Sequence, residues 1–260
     1  MISIADLLSI GSGGIVGFAL GLLGGGGSIL AVPLLIYVVG LRSTHLAIGT
    51  SAFAVAASAF ANLVAHTRAG HVKWSCAATF AASGVVGAAA GAKLGQMVDG
   101  KQLLFLFGLV MLAVATAMFN SRAADGNPDV RINAEIAWRS VLTGLLAGAL
   151  SGFFGIGGGF LIVPAIMLGS GMMAINAVGS SLVSVGAFGL TTALSYALAG
   201  MVDWRVATLF VLGGGLGGLL GVRLAKHLAV QRAVLTRVFA GVVLVVAGFV
   251  LWRSMAAFLA

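Results

Sequence analysis

Long apolar stretches, separated by short polar breaks, run along nearly the whole chain. Continuous runs, rather than apolar residues at every second position, predict helices and not the strands of a membrane barrel. Most are long enough to cross about 30 Å of hydrocarbon, which takes roughly 20 residues of helix. The ten predicted stretches lie near residues 5–23, 28–40, 44–66, 74–95, 102–119, 140–155, 158–170, 174–198, 204–225 and 234–255.

The composition narrows the class of protein. Of the 260 residues, 60% are hydrophobic and only 8% are charged, whereas a soluble domain is about 25% charged. This excludes a soluble enzyme and a nucleic-acid-binding domain, and it predicts an all-α polytopic membrane protein with the lipid bilayer as its main partner. The net charge of +8 is interpreted as flanking charge that orients helices.

The two halves of the chain repeat one another. GLLGGGGSILAVPLLIYVVG (21–40) aligns with GFFGIGGGFLIVPAIMLGSG (152–171), and the offset of 131 becomes 130 after a one-residue gap. Residues 47–51 then meet 177–181, and 69–74 meet 199–204. We therefore predict a first transmembrane repeat (1–119), a polar cytoplasmic linker (120–139) and a second transmembrane repeat (140–260), each repeat with about five helical segments.

The distribution of Lys and Arg favours an inverted repeat. With an odd number of crossings in each half, one side carries five basic residues and the other side, with the linker, carries nine. With an even number the split is seven and seven. The positive-inside rule thus favours odd parity, a cytoplasmic linker and both termini outside. The five are Arg42, Lys93, Lys101, Arg205 and Arg253.

Glycine-rich segments open the two short stretches 28–40 and 158–170. Glycine runs predict unwound backbone, which membranes tolerate only beside protein or a water-lined cavity. The N–H groups at the start of the helix that follows carry partial positive charge, so two such starts, converging near the midplane, predict an anion site. The alternative is close helix packing. The candidate residues are Gly24, Gly25, Gly26, Gly27 and Ser28, and Gly155, Gly157, Gly158 and Gly159.

Further glycines have the spacing of packing motifs rather than of a site. Gly84, Gly87 and Gly91, and the equivalent Gly214, Gly217 and Gly221, recur every three or four residues. We interpret them as close-packing positions between helices.

The glycine breaks, followed by an early proline and a short hydroxyl motif, resemble a known family. GGGGSILAVP and GIGGGFLIVP, followed by AIGTS and AVGSS, look like the TauE/SafE family of sulfite and organosulfonate exporters. The resemblance covers nearly the whole chain. It implies a bacterial inner-membrane carrier for a sulfur-containing anion such as sulfite, a sulfonate or thiosulfate. Ile156 interrupts the second glycine run, so the two half-sites need not bind alike.

Polar side chains inside the apolar stretches extend the candidate site. Hydroxyl and amide donors suit the oxygens of a sulfonate, and the alternative is hydrogen bonding between helices. Ser58 and Ser184 are interpreted as packing residues. The additional candidates are Thr50, Ser51, Asn62, Ser180 and Ser181.

No arrangement typical of catalysis or of a resident cofactor is recognisable. All six acidic residues lie at stretch ends or in loops, the four histidines lack a metal-ligand spacing, and Cys76 is the only cysteine. We therefore predict neither an enzyme, nor a cofactor, nor a metal site.

The predicted function is secondary transport of a small sulfur-containing anion, with export by alternating access. A passive anion channel and a non-transporting membrane protein are the alternatives. A homodimer is left open.

Overall fold

The computed structural model describes residues 3–120, 130, 133–155, 159–227 and 232–259. This part of the chain forms ten α-helices and one 3₁₀ helix, Gly24–Leu30, which lies between the first two. The helices are α1 (Ile4–Leu23), α2 (Ala31–Tyr37), α3 (Thr44–Arg68), α4 (Trp74–Met97), α5 (Gly100–Asn120), α6 (Ala134–Phe154), α7 (Gly159–Ser170), α8 (Ala174–Leu198), α9 (Trp204–His227) and α10 (Arg232–Leu259).

Seven of the described helices are long and apolar enough to span a membrane, namely α1, α3, α4, α5, α6, α8 and α9. α3 and α8 form the centre of the bundle, since 67% of the residues in an 18-residue apolar segment of each helix are buried, against 33% for α5 and α6. Large apolar side chains cover the outside; on α9 these include Leu212, Leu216 and Leu220. The prediction of an all-α polytopic membrane protein is confirmed.

Polar caps fix where several helices begin. Ser3 and Asp6 cap the start of α1 reciprocally, each backbone N–H bonding the other side chain, as in a capping box. Asn133 caps α6 by accepting a hydrogen bond from the N–H of Ile136. α6 therefore begins six residues before the repeat boundary predicted at residue 140. The Glu135–Arg139 ion pair, at i,i+4 spacing, lies on this polar first turn, which the apolar pattern does not include.

Glycine stripes join the two halves of the chain. Along α1, Gly13, Gly17 and Gly21 lie against the backbones of Phe210, Gly214 and Gly218 of α9. Along α6, Gly144, Gly148 and Gly152 lie against Phe80, Gly84 and Ala88 of α4. Residue numbers rise together in both pairs, so α1 runs parallel to α9 and α6 runs parallel to α4. A Cβ at these glycines would overlap the facing backbone, which explains why the stripes contain no larger residue.

The equivalent helices α3 and α8 run antiparallel. Thr50, near the start of α3, bonds the backbone of Asp203, which follows α8. Ser180, near the start of α8, bonds the backbone of Lys73, which follows α3. Two helices of 25 residues each meet both conditions only if the start of each lies beside the end of the other.

Both described chain ends lie at one end of the bundle. Arg205 at the start of α9 bonds Asp6 at the start of α1, at 2.8 Å. Arg253, near the end of α10, lines one pocket with Thr44 at the start of α3 and Lys101 at the start of α5. We call this the terminal end; the other end, where α4 and α6 begin, is the linker end.

Candidate functional site

The first glycine break is a 3₁₀ helix rather than unwound backbone. Gly27 lies against the backbones of Ala19 and Leu20, so the chain turns back along α1 at this point. Glycine allows this approach, since a Cβ at position 27 would overlap the α1 backbone. Gly24, Gly25 and Gly26 form the first part of the same 3₁₀ helix, and Ser28 is fully buried in it.

The second glycine break begins with a left-handed residue. Gly155 ends α6 with a φ of 66°, a conformation that favours glycine. Gly159 is the first residue of α7 and is buried. The predicted site residues Gly157 and Gly158 lie outside the described residues.

The two broken segments pack against each other but begin at different levels. The 3₁₀ helix contacts both α7 and α8. Gly155 lies on Ile48, close to Thr50 and the start of α9. Gly21, just before the first break, lies beside Gly218, which is 15 residues into α9 from Asp203 and thus roughly 22 Å along the bundle. The sequence predicted that the starts of the two short helices converge near the midplane, and the structure does not place them at one level. The second break lies nearer the terminal end and the first nearer the linker end.

Thr50 and Ser180 hold the two halves together. The Thr50 hydroxyl oxygen accepts a hydrogen bond from the N–H of Asp203, and that of Ser180 accepts one from the N–H of Lys73, each at 3.0 Å. The preceding Gly49 and Gly179 lie against the backbones of Met201 and His71. The AIGTS and AVGSS motifs are thus two equivalent clasps, each binding the turn before a helix of the other half.

Ser51 shares a helix face with the residue that contacts the second break. Ile48 packs on Gly155, and residues three apart on a helix point to the same side. The Ser51 hydroxyl donates its hydrogen to the Ile48 carbonyl at 3.0 Å, and Ser181 donates equivalently to Val178 at 2.8 Å. Each serine must release this bond before it can donate to a ligand.

Asn62 lies deeper, near the level of the first break. Its amide faces Gly218, and its Nδ2 donates to the Ser58 carbonyl at 3.0 Å. The equivalent residue in the second half is Thr192, which is fully buried and whose hydroxyl has no partner in the described part of the chain.

Two buried hydroxyls, those of Thr192 and Ser184, are not among the candidate site residues predicted from the sequence. Ser184 is also fully buried with a hydroxyl that lacks a partner among the described residues, and it lies three residues after Ser181 on α8. Leaving a buried hydroxyl unpaired costs about 1–3 kcal/mol, and such groups often serve a function. The 130-residue offset from Asn62 is a signal in the sequence that could have identified Thr192. The burial that distinguishes Ser184 is not visible in the sequence.

The described carboxylates lie at helix starts, where they cap a helix or pair with an arginine. Asp6 pairs with Arg205, Asp99 caps α5, Asp203 caps α9, and Glu135 pairs with Arg139. Within the described residues no group of three His, Cys, Asp or Glu side chains is close enough to hold a metal ion. The candidate residues at the two breaks offer backbone N–H groups, hydroxyls and the Asn62 amide, which are donors of the kind that suits an anion.

A polytopic helical bundle with paired, broken short helices is the architecture of a membrane transporter, in which such segments line the substrate path. The chain belongs to the sulfite exporter TauE/SafE family, whose sequence profile matches residues 9–250. It is thus a multi-pass membrane transporter.

The relatives have the same general description. A probable membrane transporter protein of Xylella fastidiosa strain 9a5c is 51% identical over 98% of both chains. A probable membrane transporter protein of Methanocaldococcus jannaschii is 30% identical over 59% of this chain and 60% of its own. The probable membrane transporter protein YunE of Bacillus subtilis is 25% identical over 85% of this chain and 88% of its own. No solved structure matches the chain significantly.

Proposed function

We propose that the protein is a secondary carrier that exports a small sulfur-containing anion across the bacterial inner membrane by alternating access. The observation that carries the proposal is the reciprocal arrangement of the halves. α3 and α8 run antiparallel, and each half brings a glycine-broken helix to the bundle. Such an arrangement supports an inverted repeat, the architecture in which one half rocks against the other around a substrate site.

The site in this proposal consists of two equivalent half-sites. One half-site combines the second break (Gly155 to Gly159) with Ser51 and Thr192. The other combines the first break (Gly24 to Ser28) with Asn62, Ser181 and Ser184. Thr50 and Ser180 are assigned to the clasps, where their oxygens accept hydrogen bonds.

The chemistry of the half-sites supports an oxyanion as the substrate. Each break supplies backbone N–H groups at a helix start, which attract negative charge without a buried cation. Hydroxyl and amide donors add directional hydrogen bonds to the oxygens of a sulfite, sulfonate or thiosulfate group. The described carboxylates are engaged as helix caps or in ion pairs with arginines.

A transport screen in proteoliposomes tests this function. Purified protein should take up at least one of sulfite, thiosulfate, taurine and sulfoacetate with saturation, and a neutral sulfone of similar size should not be taken up. Gly25→Leu should abolish uptake, because in this proposal the anion needs to approach the backbone N–H groups of the glycine break. The matched control is Gly11→Leu on α1, where a Cβ meets no atom within 4 Å; it should transport normally.

Two results would contradict the proposal. One is normal uptake by correctly inserted Gly25→Leu protein, and the other is the absence of uptake for all four anions. A homodimer remains a prediction from the sequence, and the mass of the purified protein in detergent tests it separately.

A further inference from the structure

A pocket of about 380 Å³ opens at the terminal end. It lies between the peripheral helices α5 and α10 and the ends of α2 and α3. The pocket volume falls in the range of small-ligand sites. Its lining includes Tyr37, Thr44, Lys101, Leu104, Arg253 and Ser254.

The pocket has the chemistry of an oxyanion site. Lys101 and Arg253 come from two different helices, and none of the described lining residues is acidic. Arginine binds the oxygens of sulfonates and phosphates through a planar fork of N–H groups. The Arg253 guanidinium lies 5.9 Å from the centre of the Tyr37 ring, and Tyr37 packs edge-on against Phe249, so the aromatic side chains help to hold the arginine in place.

A buried hydroxyl points to a ligand independently of the charges. Ser254 is only 3% exposed, it lines the pocket, and its Oγ has no hydrogen-bond partner among the described residues. The first N–H groups of α5 do not serve this role, because the Asp99 carboxylate already accepts a hydrogen bond from the N–H of Lys101 at 2.8 Å. The donors of the pocket are therefore side chains.

The pocket also leads toward the second glycine break. Thr44 and Leu104 line both this pocket and a narrow apolar gap, whose other walls include Ile48 and Phe154. The gap is too narrow to admit water. Ile48 in turn contacts Gly155. A charged pocket, a closed apolar constriction and a candidate half-site thus follow one another from the terminal end inward.

We propose that the pocket lined by Lys101, Arg253 and Ser254 is a vestibule that binds the transported oxyanion at the terminal end, outside a closed apolar gate formed by Leu104, Phe107, Ile48 and Phe154. This inference rests on the proposed transport of an anion. The occupant is a free sulfonate-like anion, and a lipid phosphate bound in its place is an outcome that the test separates.

The test measures the reactivity of a cysteine in the pocket and does not depend on transport. Thr44→Cys is introduced together with Cys76→Ala, which removes the only native cysteine. The full chain in phosphatidylcholine nanodiscs reacts with an anionic (sulfonatoethyl) or a cationic (trimethylammonioethyl) methanethiosulfonate. We expect the ratio of anionic to cationic rates to exceed that of a free thiol, and ethanesulfonate at constant ionic strength to slow the reaction with saturation. Neutral ethyl methyl sulfone should not slow it.

Charge variants identify the groups responsible. Lys101→Gln and Arg253→Gln should each lower the rate ratio by about threefold or more, as expected when a charge several ångströms away in a partly hydrated site is removed, and each should remove the protection by ethanesulfonate. The control is Arg68→Gln. Arg68 is an exposed cation in the last turn of α3, at the other end of that helix from Thr44, and it does not line the pocket, so this variant should leave both readings unchanged.

Three outcomes would overturn the vestibule. The first is a rate ratio equal to that of a free thiol, and the second is protection by ethanesulfonate without saturation. The third is a slowing of the cysteine reaction that appears only in nanodiscs containing phosphatidylglycerol and does not depend on ethanesulfonate. The last result would assign the pocket to a lipid headgroup. If the pocket fails these tests while proteoliposomes still take up anions with saturation, the proposed function stands and the vestibule alone falls.

Discussion

The hydroxyl oxygen of Thr50 lies 3.0 Å from the backbone nitrogen of Asp203, a residue 153 positions further along the chain. Its repeat equivalent, Ser180, lies 3.0 Å from the backbone nitrogen of Lys73. Each hydroxyl accepts a hydrogen bond at the start of a long helix, where N–H groups have no partner within the helix. Two equivalent clasps thus fasten each half of the transporter to the other.

Loss of one clasp should weaken the fold. Thr50→Val keeps the shape of the side chain but leaves the Asp203 N–H without its acceptor, so we expect the free energy of unfolding to fall by about 1–2 kcal/mol. Thermal unfolding of the purified protein in detergent measures the change. Thr50→Ser retains the hydroxyl and serves as the control, with a melting temperature close to that of the wild type. Equal melting temperatures for the valine and serine variants would show that the clasp contributes nothing.

The packing glycines differ sharply from their neighbours. Gly17→Ala places a Cβ into the backbone of Gly214, so α1 and α9 must separate and the protein should melt at a lower temperature. Gly215→Ala, on the same part of α9, meets no atom within 4 Å and should be neutral or stabilising, since alanine favours a helix over glycine by about 1 kcal/mol. Thermal unfolding in detergent measures both variants. A melting temperature of Gly17→Ala above that of Gly215→Ala would contradict the close packing of α1 against α9.

The fold class followed directly from the sequence, because lipid exposure requires long apolar stretches that composition and spacing reveal. The close-packing role of Gly84 and Gly214 was also predictable, since three- and four-residue spacing places glycines on one helix face. The start of α6, from Ala134 to Arg139, was not predicted. It is held by the Asn133 cap and an ion pair rather than by a long apolar pattern.

The candidate site was predictable only in part. The repeat offset located the glycine breaks and the hydroxyl motifs, but motif proximity does not reveal which face of a helix a side chain occupies. Thr50 and Ser51 are adjacent in sequence, yet one bonds the other half and the other bonds its own helix. The different levels of the two breaks depend on the registers of α1 against α9 and of α6 against α4, which appear only in the packed structure.

The Lys/Arg distribution predicts the orientation of the protein in the membrane. We expect the linker end to be cytoplasmic. In a Cys76→Ala background, an impermeant thiol reagent added to intact cells should label Arg42→Cys at the terminal end, and should label Asn127→Cys in the linker only after the membrane is permeabilised. Labelling of Asn127→Cys from outside intact cells would contradict the predicted orientation.

The Thr192→Val variant distinguishes a structural role of the buried Thr192 hydroxyl from a role in binding the anion. Removal of an unpaired buried hydroxyl by Thr192→Val should leave the stability unchanged or raise it. If the hydroxyl donates to the anion, the apparent KM for uptake should rise about tenfold, from a bond to a charged group of about 1.5 kcal/mol. Thr208→Val is the control, because Thr208 is exposed and bonds its own helix. An unchanged KM in Thr192→Val protein would exclude Thr192 from the half-site.

Counterflow tests the central claim, an alternating-access carrier, most directly. Proteoliposomes loaded with unlabelled thiosulfate are diluted into a trace of radiolabelled thiosulfate, or of whichever anion the uptake screen identifies. A carrier that exposes its site to one side at a time should accumulate label transiently above its equilibrium level, and the initial rate should saturate with concentration. A monotonic approach to equilibrium, with a rate proportional to concentration, would contradict the account and indicate a passive channel.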